Sequence, residues 1–574
     1  MIIKRSVPFI NDKPYNTNLL TRDLIAGFTL FVMLVPQGMA YAMLAGLPPV
    51  MGLYASTLPV LIYALFASSR HLSVGPTAIT SLLVFSVISV FATPGTSEYI
   101  TLVILLALMV GVFQFLFGLF KLGFIVRFIS PAVLGGYTSA AAIVIALSQL
   151  KHLLGIEGGN YFQIHLLLSD VVGGLGQIHW PTFLVGTGSI SLLILLKRAS
   201  RRIPAALLLI LVSILAVYSL GLHERGVSII GEVPSGFPSL VLPAISVEVV
   251  RQILLPALTI ALLGFMESLA IGKAIADKEK YKLDPNRELK ALGAANMLGP
   301  FFQAFPINGS FSRSAVNHQS GGVTQLVSVF TSLFMTLTLF FFTSFFYYLP
   351  NAALAAIIMV AVYKLVNFAQ FWHLLKIKAV DGWIWVATFA VTLFIGIQWG
   401  ILLGAGLSYL LLLSKLSQPN INEVGYVHED KTFRNVARFP RAQTKDGLIM
   451  LRIDASINFA NIPYFEDKVR QLLAARPETK TIITDFKSVN DMDAPSFGVL
   501  EDIIVQLKQE KGIQFYFVGM KGPIRDTASN AGWDHKFPEE IRYFSLEQLL
   551  KDKNIRFHAP PKDNIEQAPF MYMI

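Results

Sequence analysis

The chain has 574 residues, of which 54% are hydrophobic and only 14% charged, and it contains no cysteine. Soluble domains average about 25% charged residues, so the composition excludes an ordinary water-soluble globule and points to a membrane protein. The formal net charge of +10 lies in basic stretches between apolar runs, which marks membrane loops rather than a nucleic-acid surface. The missing cysteines exclude disulfides, thiolate metal sites and cysteine nucleophiles.

Residues 1–23 are polar, with Lys4, Arg5, Asp12, Lys13, Arg22 and Asp23. They hold no apolar core, so no cleaved signal peptide is expected and the segment is read as cytoplasmic. Apolar runs fill residues 24–416 and predict an all-α polytopic domain of about fourteen segments, some shorter than the roughly 20 residues of a full span. These begin near Leu24, Met51, Pro76, Ile100, Ser130, Pro181, Pro204, Ile253, Leu289, Ser312, Gln325, Pro350, Gly382 and Gly400. Loop charge orients them. With a cytoplasmic N-terminus, 21 of the 25 Lys and Arg up to Lys415 fall inside, including Lys197, Arg198, Arg201 and Arg202, and only Lys151, Arg225 and Arg251 fall outside. The remaining one is Arg313. The polar stretch Asp277–Glu288 is expected to be a solvated cytoplasmic face.

Residues 417–440 read as a linker. From 441 to 556 the chain turns charged, with strand-like runs at Leu448–Ile453, Thr481–Phe486 and Phe515–Val518 and amphipathic helices at Phe465–Leu473 and Phe497–Lys508. This predicts a small α/β domain in the cytoplasm. The tail 557–574, rich in Pro, Lys and Asp, is expected to be irregular.

The first and second sets of seven segments, about 24–220 and 253–416, read as an inverted repeat. Gln37 falls 230 residues before Glu267, and the Gly75-Pro76 turn falls about as far before Ser312-Arg313. Paired interrupted helices in inverted repeats mark a transporter's midplane site, with both N-termini converging there. Arg313 lies in Pro306-Ile307-Asn308-Gly309-Ser310-Phe311-Ser312-Arg313-Ser314, amid strongly apolar sequence. A cation at membrane depth costs about 2.5–3.5 kcal/mol on insertion scales, so this polar break reads as an anion site at a helix start. Arg313 could meet an oxyanion with its guanidinium fork or pair with Glu267, and both uses stay open. Ser310 and Ser312 would add hydroxyl and backbone donors. Gln37 and Tyr41, four apart, share a helix face and can donate without adding charge. Val74-Gly75-Pro76-Thr77-Ala78 suits a second helix start, with Gly75 admitting a ligand to the backbone.

These stretches resemble the SulP family of anion transporters over nearly the whole chain. Pro36-Gln37-Gly38-Met39-Ala40-Tyr41-Ala42 looks like its first-helix motif, Gly75–Ala78 like the start of its third helix and Ser310–Ser314 like the start of its tenth. The C-terminal domain is similar to the STAS domain. The resemblance implies a 7+7 fold of core and gate domains, elevator-like movement and a homodimer. It places Gln37, Tyr41, Ser312, Arg313 and the backbone N–H groups of Thr77 and Ala78 toward the anion. In the phosphoswitch version of STAS a serine stands where this chain has Ala494, so that switch is not expected. Pro495 suits a helix start and Ser496 is expected to cap it. The domain is read as a dimer and folding element and as a contact for a cytoplasmic regulator.

Glu267 lies deep in the eighth segment, where an ionised carboxylate is costly. A carboxyl there that gains and loses a proton is what a proton symporter needs, and the resemblance assigns that role to this position. No second acid stands within the segment, which favours protons over the sodium of bicarbonate-carrying relatives. His152, His165, His223, His318 and His373 are scattered without metal-ligand spacing, and no cofactor is expected. No phosphate loop, ATPase signature or Ser-His-Asp arrangement is present, so neither an enzyme nor an ATP-driven pump is expected. The favoured reading is proton-coupled sulfate uptake across the cell membrane. The rivals are a bicarbonate or dicarboxylate transporter, an exchanger or channel of the same architecture, and a membrane-tethered signalling protein.

Overall fold

Apolar runs become helices throughout the computed structural model, which describes residues 16–124, 130–159, 161, 163–199, 204–243 and 246–557. Lys4, Arg5, Asp12, Lys13, Arg201, Arg202 and the tail beyond Phe557 lie outside the described residues. The chain divides between Tyr409 and Leu410 into a helical unit and a smaller α/β unit.

Among the described residues, seven helices are long and apolar enough to cross a membrane: Thr17–Leu44, Ser97–Leu119, Pro131–Leu154, Trp180–Ala199, Val247–Lys278, Asn351–Ile377 and Ile397–Ser417. Five shorter apolar stretches are helical too: Val50–Phe66, Ala78–Ile88, Ala205–Ser219, Leu326–Phe341 and Ala379–Phe394. Pro285–Leu298 and Phe311–Gln319, more polar, complete a set that matches the expected segment starts. Local chemistry sets the ends. Asn16, Thr96 and Ser130 accept N–H bonds at the starts of their helices, and Gly155 closes Pro131–Leu154 in the left-handed conformation. The amphipathic helix Ile164–Gly174 was not anticipated as an element, nor was the break near Tyr363–Leu365 that sets Phe368–Ile377 apart as an amphipathic end to Asn351–Ile377.

Inside the membrane unit the helices meet through small residues, because lipid provides no hydrophobic drive for their association. A Cβ on Gly111 would lie 2.3 Å from Met297 N, and one on Gly293 would lie 2.3 Å from Phe115 N. This reciprocal contact locks Ser97–Leu119 against Pro285–Leu298. Gly52 faces Gly38 in the first helix, where a Cβ on Gly52 would lie closer still, 1.9 Å from Gly38 O. Backbone stands on both sides there, so nothing flexible can yield. Gly52→Ala is expected to destabilise the unit by roughly 3 kcal/mol or more. A melting temperature in detergent unchanged from wild type would contradict that packing.

Polar anchors tie these helices to the loops. Glu288, expected in a solvated loop, is instead 1% exposed. Its carboxylate accepts from Tyr63 Oη, Ser68 N and Ser69 N, each at 2.6 Å, and from Ser68 Oγ at 2.7 Å. Four donors offset the cost of burying one charge. Asp23, fully buried, accepts from Val323 N, Thr324 N and Thr324 Oγ1 in the same way.

Two short strands, β1 (Val74–Gly75) and β2 (Asn308–Gly309), pair antiparallel, with Val74 opposite Gly309 and Gly75 opposite Asn308. The α/β unit holds a five-stranded sheet ordered β4-β3-β5-β6-β7, from β3 (Ile421–Val427), β4 (Thr432–Asn435), β5 (Leu448–Ile453), β6 (Thr481–Asp485) and β7 (Gln514–Val518). The last three strands run parallel and are buried on both faces. Ile449, Leu451 and Phe517 pack on one face with Phe465 and Leu500, while Met450, Ile483 and Val518 pack on the other with Leu546 and Leu549. The stretch 417–440, expected as linker, carries the β3–β4 hairpin, because Ile421, Val424 and Val427 bury against the sheet. The helix Ala494–Lys511 is capped by Asp493 rather than by Ser496. Asp493 Oδ1 accepts from Ser496 N at 3.1 Å and Ser496 Oγ at 2.5 Å, and its other oxygen accepts from Phe459 N. Burial raises its pKa, but these hydrogen bonds outweigh that and hold the carboxyl below its ordinary value.

Candidate functional site

The β1–β2 pairing brings two helix starts together from halves of the chain more than 200 residues apart. Ala78–Ile88 begins after β1, and Phe311–Gln319 begins after β2. Ser310 N donates to Ser73 O at 3.0 Å, and Ser73 N donates to Ser314 Oγ at 2.9 Å. No side chain caps the first helix at Thr77, so its leading N–H groups have no side-chain acceptor. Ser310 Oγ caps the second through Arg313 N, at a long 3.5 Å.

Arg313, fully buried, sits between these two starts. Its Nη1 donates to Pro76 O at 2.9 Å and to Gln37 Oε1 at 3.3 Å. Its Nε and Nη2 have no hydrogen-bond partner. Unpaired donors on a buried cation are costly, and their place at two helix N-termini favours an anion. Gly75 is required twice. Its φ of 147° disfavours any side chain. A Cβ there would also stand 3.3 Å from Arg313 Nη2 and from Leu34 Cδ1.

The remaining predicted residues gather unevenly. Gln37 and Tyr41 are buried one turn apart in Thr17–Leu44, just after Pro36, which lies within the helix. Tyr41, Glu267 and Arg313 lie close enough to feel one another's charge. Thr77 and Ala78 are buried at the first helix start. Ser310 is half-buried and Ser312 exposed, with their hydroxyls 3.3 Å apart. Glu267 is half-buried, and no ion pair within 4 Å joins it to Arg313 among the described residues. The guanidinium contacts Gln37 and Pro76 instead.

Several residues that position the site were not anticipated. Asn308 Nδ2 donates to Thr80 Oγ1 at 2.6 Å, and Thr77 Oγ1 donates to the same oxygen at 2.9 Å, which fastens β2 to the other helix start. Ser268, beside Glu267, accepts from Gly309 N at 2.8 Å. Gln114 bridges Ala261 O to Asn296, and Asn296 holds Ile307 by both its N–H and its carbonyl. Gln114 and Ser268 are polar side chains within apolar helices, a local signal that could have marked them, whereas Asn308 stands in β2 and Asn296 in a more polar helix.

Residues 20–388 match the sulfate permease family, and residues 439–546 match the STAS domain. The chain is 37% identical over 526 residues to "Probable sulfate transporter 4.2" of Arabidopsis thaliana, covering 89% of this chain and 77% of that one. It is 31% identical over 538 residues to "Probable sulfate transporter MT1781" of Mycobacterium tuberculosis, covering 93% and 95%. Its fold resembles that of the murine Solute Carrier 26 family member A9 anion transporter in the inward-facing state, with a TM-score of 0.88 at 24% identity, covering 96% and 95%.

Proposed function

The chain belongs to the sulfate permease family, a family of multi-pass membrane anion transporters, and from that premise we propose that it takes up sulfate together with protons. The anion sits where Ala78–Ile88 and Phe311–Gln319 begin. Arg313 supplies the charge and a two-pronged donor edge. Thr77, Ala78 and Ser312 supply backbone donors, Gln37, Tyr41 and Ser310 supply side-chain donors, and Gly75 keeps the approach open. The observation that carries this is the buried guanidinium with two unpartnered donors at paired helix starts. Sulfate, which carries two negative charges and four acceptor oxygens, suits such a set.

Glu267 carries the coupling proton. Its carboxyl stands near Arg313 without pairing to it, so it can be charged when the site is empty and protonated when the anion arrives. The half-helices, Gln37 and Glu267 move together past the remaining segments as an elevator. The protein works as a homodimer in the cell membrane, with residues 24–416 as the transport domain and the STAS domain of 441–556 in the cytoplasm, open to a regulator.

Radiolabelled sulfate uptake into proteoliposomes, with and without an inward proton gradient, tests this reading. Saturable uptake raised severalfold by the gradient is expected. Absent sulfate uptake, with uptake of bicarbonate or a dicarboxylate in its place, would overturn the substrate. Sulfate uptake indifferent to pH would overturn the coupling.

A further inference from the structure

A polar cavity of about 260 Å³ is lined by none of the residues at the paired helix starts. Three turns form it: the one after Leu58–Phe66, the one after Val247–Lys278 and the one before Leu326–Phe341. It lies on the face of the membrane unit that the basic loops mark. Arg70, Lys282 and Arg287 line it against a single carboxylate, Asp284. That carboxylate is already engaged, since Asp284 caps Pro285–Leu298 by accepting from Asn286 N at 2.9 Å and Arg287 N at 3.3 Å. At a helix start its charge is partly offset by the peptide dipoles.

The wall is rigid. Glu288 holds Ser68 and Ser69 from beneath through the bonds described above. Gln325 Nε2 donates to Ser69 O at 2.8 Å and to Leu72 O at 3.0 Å. Arg70 stacks over the Tyr281 ring, 5.1 Å from its centroid, and Arg287 Nε donates to Phe66 O at 2.9 Å. The hydroxyls of the wall are committed as well. Ser68 Oγ is bonded to Glu288 and Thr324 Oγ1 to Asp23, while the Ser69 and Tyr281 hydroxyls face each other at 3.3 Å. With the hydroxyls engaged, charge is the cavity's chief means of recognising a ligand. Phe66 and Leu65 at its rim are exposed, as lipid-facing residues are. Cations at a membrane interface beside apolar side chains suit an anionic headgroup.

We propose that this cavity is a second anion site, taking the phosphate group of an anionic lipid or of a soluble phosphate compound. Arg70 and Lys282 provide the charge, and Arg287 holds the rim. The turn that carries Arg70 runs directly into Val74 and Gly75, so a ligand here would brace the strand that frames the first site.

The test uses the full chain carrying Arg313→Ala, which disables the first site. Phosphatidylglycerol retained from phosphatidylcholine nanodiscs is counted by native mass spectrometry, and inorganic phosphate is titrated by thermal shift. Binding of at least one probe is expected, weakened about tenfold or more when Arg70→Gln and Lys282→Gln are added. Loss confined to phosphatidylglycerol assigns the site to lipid, and loss confined to inorganic phosphate assigns it to a soluble ligand. No binding of either probe, or binding indifferent to the two substitutions, overturns the proposal. Failure of the first site would show separately, as normal uptake by Arg313→Ala alone.

Discussion

Arg313→Ala is expected to abolish saturable sulfate uptake, with apparent affinity weakened at least about a hundredfold. The magnitude follows from the bonds at stake. Nε and Nη2 are buried and have no protein partner, and each hydrogen bond to a charged group contributes about 1.5–3 kcal/mol. Two such bonds correspond to about 3–6 kcal/mol, at 1.4 kcal/mol per tenfold. The substitution also frees Pro76 O and Gln37 Oε1, so some loss of stability accompanies it. Stabilisation by added sulfate separates the two effects, because a folded variant that no longer responds has lost the site and not the fold. Arg313→Lys keeps the charge but not the planar fork, and should retain binding at reduced affinity. Gln37→Ala, which removes a single neutral partner, should cost tenfold or less. Uptake by Arg313→Ala at the wild-type KM would place the anion elsewhere.

What could be read from the residues, and what could not, divides along the range of the interactions. The helices were legible because each is announced by its own run of apolar residues. The break at Arg313 was legible because a cation and three serines interrupt such a run. The half-helix starts carried their own signals in Gly75-Pro76 and in Ser310. By contrast, Glu288 sits in a polar stretch and looks solvated until Tyr63, Ser68 and Ser69 come in from 220 or so residues away. Gln114 and Asn296, 182 residues apart, meet only because Gly111 and Gly293 let their helices touch. No periodicity encodes such pairings. The amphipathic helices Ile164–Gly174 and Phe368–Ile377 were hidden for another reason. They bury little surface within the unit, and at 11 and 10 residues they are too short to read as separate spans. The β3–β4 hairpin was missed because its burial is supplied by β5, beyond the window in which its own residues look mixed.

The site and its scaffold therefore share one design constraint. The two helix starts are tied together by partners from opposite halves of the chain: Arg313 to Pro76, Asn308 to Thr80, and Ser314 to Ser73. A substitution in either half should disturb both helix starts together. Substitutions at Thr80 and at Asn308 should accordingly lower anion affinity by similar factors and combine less than additively.

Glu267→Gln is expected to uncouple the protein from protons while leaving it able to exchange anions. The side chain is half-buried in Val247–Lys278, next to Ser268, which holds β2 through Gly309 N. Glutamine keeps the volume and mimics the protonated acid, so the neighbouring packing should survive. With the membrane potential clamped at zero, each proton carried down a one-unit pH gradient supplies about 1.4 kcal/mol, enough for tenfold accumulation. Wild-type vesicles should approach that ratio at one proton per anion. The variant should show none, because a permanently neutral residue has no proton to release on the inner side. Counterflow of labelled against unlabelled sulfate needs no net proton movement, so it should persist within a few-fold of wild type. Loss of both activities would make Glu267 part of the anion site rather than its coupling. Full gradient-driven accumulation in the variant would move the proton to another group, with Tyr41 the next to be tested.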